Sequence, residues 1–206
     1  YKINETGKNI YYLTGDKLVK WKIEKGYYYT EITHWLYLPK TDPVMSKARI
    51  GNAATSLASS ENLLFLDDDN YFITENSIAV IVNLLKEYQL VIGQIQDSNG
   101  RYRTYSSNRV QGTTFAVKKD ILQNTGGFGK WTETVSSGVD SDIWWKLYHY
   151  FQKNPKLKAC YTSEFQTVDS CSKRWKSHIK QIFRHRAVKK EFNKIHSCPD
   201  YRSPKH

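Results

Sequence analysis

Cysteine is scarce in this sequence, and long apolar runs are missing. The three cysteines, Cys160, Cys171 and Cys198, form neither a C-x-x-C pair nor an even set. This argues against a disulfide framework and favours plain thiols in a reducing compartment. No apolar run approaches the roughly 20 residues of a membrane-spanning helix, and no signal peptide is visible. We therefore expect a soluble cytoplasmic protein without a transmembrane segment. Its start at Tyr1 rather than Met is consistent with further domains in a longer polypeptide.

Aromatic residues and positive charge are abundant. Hydrophobic residues make up 39% of the 206 residues, and 15 Tyr, 6 Trp and 8 Phe are present. Such a chain can bury enough apolar surface to offset its conformational entropy, which predicts one compact domain. The net charge is +11, and most of it lies in 172–206, which holds eleven Lys or Arg against two acids. This charge attracts phosphorylated ligands, nucleic acid or anionic membranes and does not choose among them.

The apolar residues alternate between strand-like and helix-like spacing. Short apolar or β-branched runs predict strands at 9–13, 63–66, 90–95 and 113–117. The continuous run at 63–66 is typical of a strand buried on both faces. Helical spacing predicts helices at 46–60, after Thr74, and at 140–151. Strands that alternate with helices predict an α/β layered fold.

Two helices have predicted packing faces. The helix after Thr74 is expected to bury Ile78, Val82 and Leu85. Beyond Cys160 the alternation fades, and a basic helix is predicted within 172–196. We expect that helix to dock on the core through the apolar residues Trp175, Ile179, Ile182 and Phe183. The whole chain is expected to be a single domain, with an α/β core at 1–165 and a basic helical extension at 166–206.

Three consecutive acids follow the apolar run at 63–66. Asp67, Asp68 and Asp69 would lie at the carboxyl edge of the sheet, where open α/β sheets bind ligands. Adjacent carboxylates repel one another, and a cation normally compensates them. Oxygen ligands of this kind select Mg²⁺, Mn²⁺ or Ca²⁺. The alternative is a solvated acidic turn that precedes the next helix.

A second group of acids stands at the predicted start of a helix. Asp140 and Asp142 follow Gly138, and the helix dipole favours negative charge at this position. A carboxylate there can point into a cleft, or it can serve as an ordinary cap without a further function.

Together these segments resemble the family 2-type GT-A glycosyltransferases. In that family a helix with an S-x-A-R-N-x-G-like start precedes a strand that ends in a D-x-D motif. A sugar-binding strand, a G-G-F turn and a G-E-D-x-D helix follow. The corresponding segments here, in the same order over about 46–147, are 46–53, 64–69, 111–117, 126–128 and 138–142. The resemblance implies a GT-A, Rossmann-like fold with a mixed, mainly parallel sheet flanked by helices.

The resemblance also implies roles for single residues. Asp67 and Asp69 would hold Mn²⁺ or Mg²⁺, and Asp68 would lie near the ribose or the donor sugar. Asp140 would be the general base. Lys47 and Arg49 would lie on the donor side near the diphosphate, although a solvated helix face is an equally good interpretation of both.

Other implied positions are less well matched. Gln111 and Gly112 belong to the sugar-binding segment. Val139 replaces the family's usual Glu, which makes Asp142 a second candidate in the nucleotide-sugar site. The segment 9–16 is most similar to the family's V-V-D-D-G-S segment, which implies nucleotide contacts for Thr14 and Asp16. A histidine of the basic helix, His178, could supply a third metal ligand, although such a residue is more often on the surface.

The expected activity is therefore metal-dependent transfer of a hexosyl or deoxyhexosyl group from a nucleotide-sugar, with a UDP-sugar favoured. The acceptor would be a hydroxyl of a glycan or glycoprotein. One base opposite a metal-held leaving group favours inversion, and retention stays open. The composition and the acid triplet also resemble a chlorella-virus glycosyltransferase domain, which implies a virus-encoded protein acting in a host cytoplasm. The rival is a nucleic-acid-binding module or metal-dependent nuclease using the basic surface, although the resemblance implies no nucleic-acid partner.

Overall fold

The computed structural model describes residues 2–5, 8–13, 35–37, 47–103, 114–170 and 178–199. Its strands form two sheets. The smaller sheet is antiparallel and contains β1 (Lys2–Glu5), β2 (Lys8–Leu13) and β3 (Trp35–Tyr37). The larger sheet has five strands in the order β4-β7-β6-β8-β5. These strands are β4 (Asn62–Leu66), β5 (Asn70–Phe72), β6 (Leu90–Asp97), β7 (Thr114–Lys118) and β8 (Ala159–Asp169).

Helices connect and cover the strands of the larger sheet. They are α1 (Lys47–Leu57), α2 (Ser77–Leu84), α3 (Lys119–Asn124), a 3₁₀ turn (Lys130–Glu133), α4 (Val139–Lys153) and α5 (His178–His196). The predicted mixed α/β class is confirmed. No helix in the described part of the chain is long and apolar enough to cross a membrane.

The direction of the strands differs from the prediction. Within the larger sheet β4 and β6 run antiparallel to β7, and β5 runs antiparallel to β8. Only β6 and β8 are parallel. The predicted mixed sheet is confirmed, but the expectation that it is mainly parallel is wrong for the described strands, which pair mainly antiparallel. Strand direction depends on how distant segments return to the sheet, which local apolar spacing does not encode.

The larger sheet has an apolar cluster on each face, because successive side chains of a strand point to opposite sides. Along β6, Leu90 and Ile92 belong to the cluster beneath α3 and α4. Val91 belongs to the opposite cluster, which contains Ile81 of α2 and Phe165 of β8. Both faces of this sheet therefore bury apolar side chains.

Three local predictions need correction. Strand β4 lies at an edge of the described sheet, and its Leu64 and Leu66 are exposed, so it is not buried on both faces. Of the residues predicted to be buried by α2, Leu85 is buried just after the helix, whereas Ile78 and Val82 face solvent and Ile81 is buried instead. The segment beyond Cys160, where the alternation fades, belongs to the 11-residue strand β8, whose first half is largely exposed.

The basic helix α5 packs through a different face from the predicted one. Ile182 and Phe183 are 51% and 66% exposed, and the buried residues are Val188 and Phe192. The predicted contacts of Trp175 and of the Ile179 side chain lie outside the described residues. The boundary at 165/166 falls inside β8, so core and extension share a strand.

Candidate active site

The acid triplet forms the turn between β4 and β5. The Asn70 backbone N–H donates to the Asp67 carbonyl at 3.0 Å and closes this turn. Ser170, at the end of β8, holds the Asp69 carbonyl through its backbone N–H at 3.0 Å and its hydroxyl at 2.7 Å. Two strands of the sheet therefore fix the backbone that carries the acids. Asp68, at the tip of the turn, is exposed.

Lys47, the first residue of α1, joins this turn to the start of α4. Its Nζ lies 2.8 Å from Oδ1 of Asp67 and 3.0 Å from Oδ2. The same Nζ is 4.0 Å from Oδ1 of Asp140. Residues from three separate elements therefore meet at one ammonium group. The sequence predicted all three as site residues, and the structure brings them together.

Asp140 is the more open of these two acids. It is the second residue of α4, and its side chain is 50% exposed. Gly138, just before the helix, has φ of +90°, a left-handed conformation that favours glycine. The backbone can thus turn into α4 with the Asp140 carboxylate at the positive end of the helix dipole and facing solvent.

Burial sets the protonation behaviour of Asp67. Desolvation raises the pKa of Asp67 above its usual value, and the ammonium of Lys47 only partly opposes this effect. The nearby negative charges of Asp140 and Asp69 raise the same pKa further. A neighbouring cation would relieve this repulsion.

Asp142 has different surroundings from Asp140. It is fully buried, and Oδ2 accepts the Gly129 backbone N–H at 2.8 Å. Oδ1 accepts the indole N–H of Trp131 at 2.7 Å and lies 2.9 Å from Nε2 of His196. Lys146, one helical turn further along α4, places Nζ 2.8 Å from Oδ2. This carboxylate is an internal anchor, which makes it a poor candidate for direct contact with a nucleotide-sugar.

The contacts of Asp142 also determine its pKa. Burial alone would raise the pKa of Asp142. The hydrogen bond with His196, the charge and hydrogen bond of Lys146, and the hydrogen bond from Trp131 outweigh burial and lower that pKa below its ordinary value. The carboxylate is therefore ionised in the folded protein, which matches its role as an acceptor of four donors.

Arg49 lies inside the protein and not on a solvated helix face. Its guanidinium pairs with buried Glu133, with Nε 3.2 Å from Oε1 and Nη2 3.1 Å from Oε2. Arg49 thus connects α1 to the 3₁₀ turn. Its contact with the diphosphate stays a prediction, and the burial of the guanidinium argues against it. Lys47 and Arg49, predicted as a pair, therefore have separate surroundings.

A side-chain amide fixes the G-G-F turn to α1. Asn52 Nδ2 donates to the Phe128 carbonyl at 2.9 Å, and Oδ1 accepts the Phe128 N–H at 2.8 Å. Both backbone groups of Phe128 are thereby satisfied by one side chain. Together with the Arg49–Glu133 pair, this contact positions α1, and with it Lys47, relative to the loop before α4.

Sequence reasoning missed His196 as a site-supporting residue. It is the last residue of α5, and its ring lies among those of Phe192, Trp131 and Trp145, with the Phe192 centroid 4.6 Å away. The available signal in the sequence was Phe192, an apolar residue four positions earlier on a basic helix. The predicted ligand His178 begins the same helix, but its side chain lies outside the described residues.

Four other predicted site residues, Thr14, Asp16, Gln111 and Gly112, also lie outside the described part of the chain. Within that part, no group of three or more His, Cys, Asp or Glu side chains is arranged as a metal cage. Asp67 and Asp69, whose negative charges repel each other, are the candidate metal ligands. Such a set fits an ion that binds through one or two carboxylates plus substrate phosphates, as Mg²⁺ commonly does.

Comparisons with known proteins give structural matches but no sequence match. No protein-family model matches the chain, and no curated protein matches it at a significant level. Eleven chains of solved structures do match. One is the crystal structure of S. aureus TarS 1–349, a glycosyltransferase, at 12% identity and a TM-score of 0.44, covering 73% of this chain and 51% of that chain. The chain thus spans about half the length of that structure, and so distant a likeness has no bearing on substrate or mechanism.

Proposed function

We propose that this chain is a metal-dependent glycosyltransferase that moves a sugar from a UDP-sugar to a hydroxyl of a glycan or glycoprotein. The observation that carries the proposal is the position of Lys47 Nζ, 2.8 Å from Asp67 and 4.0 Å from Asp140. Asp67 follows a strand and Asp140 lies at the start of a helix, and although they are far apart in sequence, both lie next to the ammonium of Lys47. This is the pairing that the motif order predicts for the donor and acceptor sides of one site.

The donor side consists of Asp67, Asp69 and Lys47. The two carboxylates are the oxygen ligands that would hold Mn²⁺ or Mg²⁺ next to a diphosphate. When bound, the ion would neutralise the charge that grows on the departing nucleotide diphosphate. Lys47 would add a second positive charge to the same phosphates, since its ammonium is a mobile point charge on a flexible stem.

The acceptor side consists of Asp140. Its half-exposed carboxylate is open to an incoming hydroxyl, and it would take the hydroxyl proton as the acceptor oxygen bonds to the anomeric carbon. The bond from that carbon to the diphosphate oxygen breaks in the same displacement. A single displacement of this kind inverts the anomeric configuration. Asp142 does not compete for this role, because its oxygens already accept four donors.

A nucleotide-sugar screen tests the proposal. Thermal unfolding would be followed with UDP-, GDP- and ADP-sugars, each with and without Mn²⁺. We expect a UDP-sugar to raise the unfolding temperature only when Mn²⁺ is present. Absence of any metal-dependent shift, together with tight salt-sensitive binding of DNA or RNA, would instead support the nucleic-acid rival.

A further inference from the structure

We infer that Lys47 is an internal counter-cation, which holds the Asp67 carboxylate until a nucleotide diphosphate arrives and then moves to the phosphates. This inference rests on the proposed function and adds a mechanism of ligand coupling to it. Metal and nucleotide would each bind weakly alone and strongly together, and the Lys47 side chain would be the physical origin of that coupling.

The first step is the contact geometry. Nζ of Lys47 approaches both oxygens of Asp67, at 2.8 and 3.0 Å, so the ammonium faces the whole carboxylate group. The side chains of Lys47 and Asp67 are 30% and 29% exposed. The pair is thus reachable from solvent, and a metal ion that approached Asp67 would meet a positive charge already in place.

The second step is the charge balance around this ammonium. Asp140 is 4.0 Å from it, and Asp69 adds a further negative charge close to Asp67. A divalent ion added alone would be attracted by the acids but repelled by Lys47. A diphosphate added alone would be attracted by Lys47 but repelled by the acids. When both ligands are present, each one compensates the charge that opposes the other.

The third step is mobility. The four-carbon stem of lysine can swing its ammonium from a carboxylate to a phosphate without moving the backbone. The helix itself is held by the buried Arg49–Glu133 pair and by the hydrogen bonds from Asn52 to Phe128. Lys47 can therefore exchange partners while α1 stays in place.

Calorimetric titration with Mn²⁺ alone, with UDP alone and with UDP at saturating Mn²⁺ tests the inference on the wild type and on Lys47→Gln. We expect Lys47→Gln to bind Mn²⁺ alone about tenfold more tightly, and UDP in the presence of Mn²⁺ about tenfold more weakly, which is within the usual range of coupling between two ligands. Lys47→Arg keeps the charge and should retain the wild-type coupling, which separates the effect of the charge from an effect on folding.

Lys158→Gln is the matched control. Lys158 forms an exposed pair with Glu87 at 3.2 Å, so its replacement removes the same unit charge without altering the site and should leave both affinities unchanged. One contrary result is that the wild type couples Mn²⁺ and UDP while Lys47→Gln binds Mn²⁺ alone with unchanged or lower affinity than the wild type. That result would overturn the role of Lys47 but not the proposed function. A wild type that shows no Mn²⁺-dependent binding of UDP would overturn the proposed function and this inference together.

Discussion

Asp142 Oδ1 lies 2.9 Å from His196 Nε2, so the end of α5 is tied directly to the first turn of α4. The two residues are far apart in sequence and meet beside Trp131. Asp140, two residues before Asp142, faces solvent and the ammonium of Lys47. The Asp142 carboxylate thus anchors the helix that presents the carboxylate of Asp140.

We predict that Asp142→Asn lowers the free energy of unfolding by about 3 kcal/mol at neutral pH, because it removes one charge of a buried, hydrogen-bonded network. The pKa of Asp142 is lowered in the folded state from 3.8, so its stabilising contribution is present above that value and is lost as the pH falls through the folded pKa. The difference between wild type and variant should therefore shrink on acidification. Urea unfolding at neutral pH and below pH ~4 measures both effects, and an equal difference at the two pH values would contradict the assignment.

We predict that Asp140→Asn lowers the transfer rate by about 10²–10⁴ while UDP-sugar binding with Mn²⁺ changes little, as expected for loss of a general base that faces the acceptor. Steady-state transfer and calorimetric binding measure the two properties separately. Asp120→Asn, which changes another exposed acid in the first turn of a helix, is the control and should remain active. Full activity in Asp140→Asn would place the base elsewhere.

We predict that Asp67→Asn loses Mn²⁺-dependent binding of UDP without a lower unfolding temperature. The pKa of Asp67 is raised in the folded state, so any stability linked to its protonation is present at low pH and is lost as the pH rises through the folded pKa. At neutral pH the ionised carboxylate therefore opposes folding, and its neutral analogue does not. Thermal unfolding at neutral pH, with and without Mn²⁺ and UDP, checks this expectation, which a markedly lower unfolding temperature would refute.

We predict that Arg49→Met and Glu133→Gln each lower the free energy of unfolding by about 3–5 kcal/mol, because each leaves a buried charge without its counter-charge. The double variant Arg49→Met/Glu133→Gln should lose less than the sum of the two single variants. Denaturant titration of the four proteins gives this comparison. If Arg49→Met were instead fully stable and failed to bind UDP, the contact with the diphosphate predicted from the sequence would be correct.

The sequence was informative where the signal is local. Apolar runs and helical spacing predicted α1, β6, β7 and α4 to within a few residues. The acids at the end of β4 were identified for the same reason, since an abrupt change from apolar to charged residues marks the end of a strand. Asp67, Asp140 and Lys47 were predicted from separate motifs, and the structure brings all three to one place.

The remaining features depend on contacts between distant segments. The docking face of α5 is set by the rings of Trp131 and Trp145, so the helix's own apolar residues Ile182 and Phe183 gave the wrong face. Arg49 was predicted to contact the diphosphate or to lie on a solvated helix face, because nothing near it in sequence reveals its partner Glu133. Asp142 is an intermediate case. Its spacing from Lys146 is that of a helical ion pair and can be recognised in the sequence. Its complete burial cannot be predicted from the sequence.

The anchoring of Asp142 by His196 sets a practical limit on how this protein can be shortened. A version cut at 165/166, where sequence composition suggests a removable basic tail, would sever β8 within its 11 residues. A cut just before α5 would preserve the sheet, but it would remove His196 and Phe192 and open the indole of Trp131 to water. Expression boundaries for biochemical work should therefore lie beyond Cys198, which is itself buried. Limited proteolysis within α5 would be expected to inactivate the protein even though the proposed reacting groups are untouched.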